Sequence, residues 1–173
     1  EMIEADHRAF ARSVLNAGPY RLEKGASWVQ FQMLSLDWQD ANNAQQQIAT
    51  TQAVTATAND NVLHYADGLG AGRHYEFHNE PSQLKKLIIL DSAAQLPAIN
   101  TGSLNAPPYW LVGNFTIATS GDVRIFLDTG SGMEEWTKPN NQQFVTTGEI
   151  EYEIPNNQYS FGLDFISKRN FNL

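Results

Sequence analysis

From Trp28 onward, apolar side chains return at every second position. In "WVQFQML" (28–34) Val29, Phe31 and Met33 share one face. In "EIEYEI" (149–154) Ile150, Tyr152 and Ile154 alternate with Glu149, Glu151 and Glu153. That period sets one face of a pleated strand against a core and leaves the other in water. "DVRIFLD" (122–128) places Val123, Ile125 and Leu127 opposite Arg124 and Phe126, and "YSFGLDFI" (159–166) keeps Tyr159, Phe161, Leu163 and Phe165 in step. "LKKLIIL" (84–90) and "YWLVGNFTIA" (109–118) are more continuously apolar, which predicts central strands. Turn clusters at Ser120-Gly121, Gly130-Ser131-Gly132, Pro139-Asn140-Asn141 and Pro155-Asn156-Asn157 punctuate the strands, and Gly148 reads as a strand-edge or bulge glycine. Nothing alternates strand with helix. The fold class expected is therefore mostly β, an antiparallel sandwich or barrel.

The amino-terminal stretch has a different period. In "MIEADHRAFARSVLNA" (2–17) Ile3, His7, Phe10 and Val14 fall at steps of three and four, Glu1, Glu4 and Asp6 suit the positive end of a helix, and Gly18-Pro19 would end it. Residues 1–19 are accordingly expected as a helix, a lid on the core or a docking arm, ahead of a β domain over 20–173. Within "IATTQAVTATANDNVLHYADGLGAG" (48–72), Thr50, Thr51, Val54, Thr55 and Thr57 favour extended backbone, Asn59-Asp60-Asn61 reads as a turn and "VLHY" as the returning strand. The segment is thus a hairpin more than a linker. Upstream, "QDANNAQQQ" (39–47) reads as a polar loop.

Charge narrows the function. With 173 residues the chain buries a real core, and a hydrophobic share of 42% is that of a globular protein. Net charge is −8 and no basic cluster exceeds Lys85-Lys86 or Lys168-Arg169, so neither nucleic acid nor an anionic membrane is an expected partner. The absence of cysteine removes disulfides, thiolate catalysis and Cys-ligated zinc. No apolar run approaches the ~20 residues of a membrane helix.

Several residues invite chemistry. His74, Glu76 and His78 share one face of "HYEFH", but alternate positions lie ~6–7 Å apart, so zinc would require a bend and a further ligand such as His64. The reading adopted is a wet strand face opposite Tyr75 and Phe77, with no metal. The carboxylate pairs Asp122/Asp128, Glu134/Glu135 and Asp37/Asp40 would serve a glycosidase only if they faced each other across a cleft, and Glu149, Glu151 and Glu153 form an acidic ladder. "TSGDV" and "TGSGM" lack the setting of a nucleophile elbow, and "GLGAG" precedes a strand where a phosphate loop precedes a helix. No enzyme, cofactor or catalytic residue is expected. The loop oxygens of "DTGSGMEE" and "DWQD" are those a structural calcium would use. Trp28 and Trp110 lie inside strands and read as core; Trp38 and Trp136 lie beside polar loops and are the candidate contacts for a partner or a glycan.

"TTQAVTATANDNVLHYADGLGAG" (50–72) resembles the amino-terminal stretch of tailed-phage capsid cement (decoration) proteins, in which a Gln-Ala-Val-Thr run leads through a turn into an apolar strand and a glycine-bearing loop. The matching positions are Gln52-Ala53-Val54-Thr55, Asn59-Asp60-Asn61, Val62-Leu63 and Gly68-Leu69-Gly70-Ala71-Gly72. "HYEFHNEP" departs from the family's apolar run, and the leading segment and "KGASWVQFQML" fall outside the match. The resemblance implies a jelly-roll β-sandwich and a non-catalytic virion protein that bridges neighbouring coat subunits, multivalent or homo-oligomeric. "GNFTIATSGDVRIFLDTGSGMEEW" followed by "QQFVTTGEIEYEI" resembles the distal half of jelly-roll carbohydrate-binding modules, which implies a glycan ligand and an extracellular setting instead. The two resemblances share a fold and differ in function.

Overall fold

The computed structural model describes residues 8–11, 20–80, 83–128, 131–137, 150–154 and 159–164. The strands in chain order are β1 (Arg8–Ala11), β2 (Tyr20–Lys24), β3 (Ser27–Gln39), β4 (Gln45–Thr50), β5 (Thr57–Asn59), β6 (Val62–Tyr65) and β7 (Arg73–Asn79). They continue with β8 (Gln83–Leu90), β9 (Trp110–Thr119), β10 (Arg124–Asp128), β11 (Met133–Glu135), β12 (Ile150–Ile154) and β13 (Tyr159–Asp164). A single 3-10 turn at Ala93–Gln95 is the one helical element among the described residues.

Two sheets form. In the first, the long β3 takes β9 along one edge while β2 and β4 divide the other, β2 beside Ser27–Phe31 and β4 beside Ser35–Gln39; β1 pairs with β2. The second runs β11-β10-β12-β13-β8-β7-β6-β5. Among the described residues every strand pairing is antiparallel except β13 with β8. The sheets face each other across one core: Tyr20, Val29, Phe31, Met33 and Leu36 from the first meet Tyr65, Leu69, Tyr75, Phe77 and Leu84 from the second. Tyr20 stacks on Phe77 at 5.0 Å and Tyr65 on Tyr75 at 4.5 Å. Each such side chain, fully buried, contributes about 1.5–3 kcal/mol, so the interlock between the sheets is a large stabilising term.

The expected faces of β3 and β10 hold: Val29, Phe31 and Met33 are buried, and Val123, Ile125 and Leu127 pack against the core. The run 150–154 is a strand as expected, with Tyr152 opposite Ile125 and Phe161, and 159–164 is its partner. "LKKLIIL" is central, held between β7 and β13. For "YWLVGNFTIA", β9 pairs with β3 alone among the described residues. The amino-terminal helix is a correction. Arg8–Ala11 is a strand, with Phe10 opposite Arg21 and Ala11 opposite Tyr20, because a ladder to β2 outweighs the weak helical preference of so short a stretch. The remainder of the span read as helix, the turns at 139–141 and 155–157, Gly148 and Glu149 lie outside the described residues.

The stretch 48–72 divides in three. Ile48–Thr50 completes β4, and Thr51–Ala56 crosses from the first sheet to the second, tied by Thr51 N–H to Leu34 O (3.0 Å) and Gln52 N–H to Gly68 O (2.9 Å), with Val54 and Ala56 against the core. The hairpin begins only at Thr57 and turns at Asp60-Asn61, where Asp60 takes a left-handed φ of 50°, a conformation its short polar side chain tolerates. The polar run 39–47 is likewise shorter as a loop than it reads: Gln45–Gln47 already belongs to β4.

Candidate functional site

Carboxylates near the loops act as clamps. Asp40, fully buried at the end of β3, accepts N–H bonds from Asn42 (2.9 Å) and Ala44 (3.0 Å) on Oδ1 and from Asn105 (3.1 Å) and Ala106 (3.2 Å) on Oδ2. Burial works to raise its pKa, and the four backbone donors together hold it below the ordinary carboxylate value. The clamp closes the β3–β4 turn and fastens the connection 91–109 to it. Asp37 accepts from Ser35 Oγ (2.5 Å) and Asn114 Nδ2 (2.6 Å), bridging β3 to β9. Asp122 bonds Ser27, and Glu135 pairs with Arg124 at 2.6 Å; hydrogen bonds from Ser120 and Ser27 lower the first carboxyl, and the Arg124 contact lowers the second. Asp37 and Asp40, the oxygens read as calcium donors in "DWQD", are thus engaged by protein N–H and O–H groups.

The histidines lie on the outer face of the second sheet, opposite the buried Tyr75 and Phe77. Glu76 takes His64 Nδ1 on one oxygen (2.9 Å) and His78 Nε2 on the other (2.6 Å). Burial raises the Glu76 pKa, but the hydrogen bonds of His78 and then His64 outweigh it and the net direction is down. His74, its ring 5.6 Å from that of His64, takes other partners: Asp91 Oδ1 (3.0 Å) and the backbone N–H of Asp67 (2.8 Å).

Inside the sandwich is an unexpected charge. Lys86, 9% exposed, sits in register with Phe77, and its Nζ lies 3.9 Å over the Phe115 ring of β9. The end of the side chain occupies the room left by Gly113, where a Cβ would stand 3.0 Å from Nζ. Burial pushes the ammonium down to about 7.

No family model, curated protein or solved structure matches the chain.

Trp38 is packed inside, 3% exposed, with its indole N–H on Pro97 O (3.0 Å), so the connection 91–109 covers it. Trp136 is half-buried beside β10, its backbone N–H on Ile125 O (2.7 Å). The two tryptophans read as core are outside instead. Trp28 is half-buried under the Arg21 guanidinium (4.3 Å), and Trp110 is 44% exposed. On the outer face of the first sheet, strand alternation sets Trp28, Gln30 and Gln32 of β3 beside Thr116 and Ala118 of β9, whose row ends at Trp110. Amides, a hydroxyl and an indole make up this face before the bulge, and between Thr116 and Trp110 it carries Asn114 and Val112 opposite the buried Ser35 and Asp37. Arg21 and Glu23, on its β2 side, pair with each other at 2.5 Å. Leu34, at the bulge in β3, and Met133, on β11, are also exposed.

The sequence reading missed Lys86 and Trp110. Lys86 has a signal, since it falls in step with Leu84 and Ile88 on the inward face. Trp110 has none, because its place depends on which strands flank β9.

Proposed function

We propose that this chain is a non-catalytic structural module of jelly-roll type that bridges subunits of a larger assembly, in the manner of a capsid decoration protein. One observation carries the reading: large apolar side chains are exposed at separated places, Leu34 (41%) and Trp110 (44%) on the first sheet and Met133 (39%) on the end strand of the second. Bridging needs at least two contact surfaces, and several weak ones multiply into firm attachment when the partner is a lattice. The carboxylates described above, clamped to loops and partner side chains, support a module without acid–base chemistry.

A second reading rests on a different feature. The indole and amide row of the first sheet, from Trp28 through Gln30, Gln32 and Thr116 to Trp110, has the groups that stack on and hydrogen-bond to a sugar chain. Co-sedimentation with purified phage coat shells, run beside a glycan array, separates the two. Bridging predicts saturable binding to assembled shells, weaker binding to free coat subunits, and loss of shell binding in both Leu34→Ser and Met133→Ser. Saturable binding to one glycan, abolished by Trp110→Ala and unaffected by Met133→Ser, with no shell binding, would replace it with the carbohydrate reading.

A further inference from the structure

A closed circuit of hydrogen bonds ties the loop 66–72 to the end of β8. Asp67 N–H donates to His74 Nδ1 (2.8 Å), Gly72 N–H to Asp67 Oδ1 (2.8 Å) and Asp91 N–H to Gly72 O (3.0 Å), while His74 Nε2 meets Asp91 Oδ1 (3.0 Å). A backbone N–H can only donate. Nδ1 of His74 must therefore carry its lone pair, and the ring proton must be on Nε2, donating to Asp91. The tautomer follows from the circuit itself.

The loop has little slack. Asp67, Gly70 and Gly72 all take left-handed φ, at 53°, 88° and 71°. Leu69 is seated in the core, and Gly68 O holds the crossover through Gln52 N–H. A Cβ on Gly72 would reach within 2.6 Å of Gln95 Nε2, so the loop also fits closely against the segment after β8.

We infer that the 66–72 loop is a proton-operated latch, closed by neutral His74 and reset when His74 takes a second proton. A proton on Nδ1 turns an acceptor into a donor and expels the Asp67 N–H. Two carboxylates lie beside the ring. Asp91 is already bonded to it, and Asp67 Oδ1 lies 3.8 Å from Nδ1, placed to pair with the new N–H; Ile89, opposite on β8, is neutral. His64 on β6, 5.6 Å away ring to ring, opposes it when charged, but its Nδ1 is held by Glu76, the next outward residue on β7. Arg73 donates its Nε to Gln95 O on the other side. The reset latch holds the carboxylates of Asp67 and Asp91 on one imidazolium and frees the Asp67 amide. Because Gly68 also anchors the crossover, the change reaches the joint between the two sheets. The trigger is the proton itself, delivered by acidification.

NMR on the 15N-labelled full chain between pH 8 and pH 5 tests it. At pH 8 the His74 ring should show a bare Nδ1 and a protonated Nε2. On acidification the amide peaks of Asp67, Gly72 and Gln52 should move together, with the midpoint of the His74 ring. His74→Gln offers an amide oxygen to Asp67 and an amide N–H to Asp91, and in that variant the three peaks should hold still, whereas His64→Gln should leave their movement intact. A protonated Nδ1 at pH 8, an Asp67 amide that ignores the His74 titration, or movement that persists in His74→Gln would each overturn the latch. Should His74→Gln not fold, the wild-type tautomer and the shared midpoint decide alone.

Discussion

Replacing Lys86 by methionine should make the protein more stable, and the gain should depend on pH in a specific way. A lysine held at about 7 in the fold against 10.5 when unfolded costs about 5 kcal/mol at any pH below 7. The sign follows from proton counting. Between pH 7 and 10.5 the unfolded chain holds a proton that the folded chain lacks, so wild-type stability rises with pH by up to about 1.4 kcal/mol per pH unit; below 7 both states are protonated and the cost is constant. Above pH 10 the curve should turn down, because burial raises the phenols of Tyr65 and Tyr75 and only the unfolded chain then ionises them. The informative window is therefore about pH 7 to 10.

Methionine keeps the unbranched stem and lets it fill the space beside Gly113 and Phe115 without the ammonium. Subtracting what the ammonium gains from Phe115 and its other contacts, at least about 1–2 kcal/mol, the expected stabilisation near pH 6 is about 2–4 kcal/mol. Urea unfolding of both proteins at intervals from pH 6 to 9.5 measures it, provided that the slope with denaturant is unchanged. The two stabilities should converge as the pH rises. Parallel profiles for wild type and Lys86→Met would refute the reasoning, because they would mean that Lys86 keeps its proton inside the fold.

Gly68→Ala should destabilise by about 1–3 kcal/mol, read as a lowered urea midpoint, because its Cβ would meet Tyr75 Cε1 at 2.5 Å. Tyr75→Phe should be neutral or stabilise by up to about 1 kcal/mol, since the Tyr75 hydroxyl is buried without a hydrogen-bond partner among the described residues; a clear loss in thermal melting would show that the hydroxyl is satisfied in solution. Glu76 has a depressed pKa, so its contribution is present above the ordinary glutamate range and disappears as the pH falls through the folded value. Glu76→Gln should accordingly lower the melting temperature at pH 6, by an amount that shrinks as the pH falls below the ordinary glutamate value.

How much could be read ahead of the structure depends on the range of the interactions involved. Val29, Phe31 and Met33, or Val123, Ile125 and Leu127, are legible because a strand carries its own period. The bulge between Met33 and Ser35 is where that period fails. Beyond it β3 is buried on both faces, so Trp38 beside a polar loop is enclosed, and the strand's polar residues Asp37 and Gln39 go inside with it. Arg8–Ala11 misled for the opposite reason: its apolar spacing suits a helix, and only the ladder to β2 makes it a strand. The His74 circuit needs residues as distant as Asp67 and Asp91, which come together through the β7–β8 register and a loop with three left-handed residues. Its members are visible in the sequence, but their partnership is not.

The placement of carboxylates bears on function as well as fold. Asp40 gathers four backbone donors from two loops, Asp37 joins two strands, and Asp67 caps its own turn. Charge in these places fixes irregular backbone, which the long connection 91–109 and the crossover 51–56 both require. An acidic chain whose carboxylates are so employed presents, on the outer face of its first sheet, a largely neutral row of amides and indoles. Contact there depends on area and shape more than on attraction between charges, and should be insensitive to salt. Binding of shells or glycans that survives molar salt but is lost in Trp110→Ala would place the contact on that face. Binding that vanishes with salt would move it to the charged positions of the second sheet, where Lys85 pairs with Glu80 and Arg124 with Glu135.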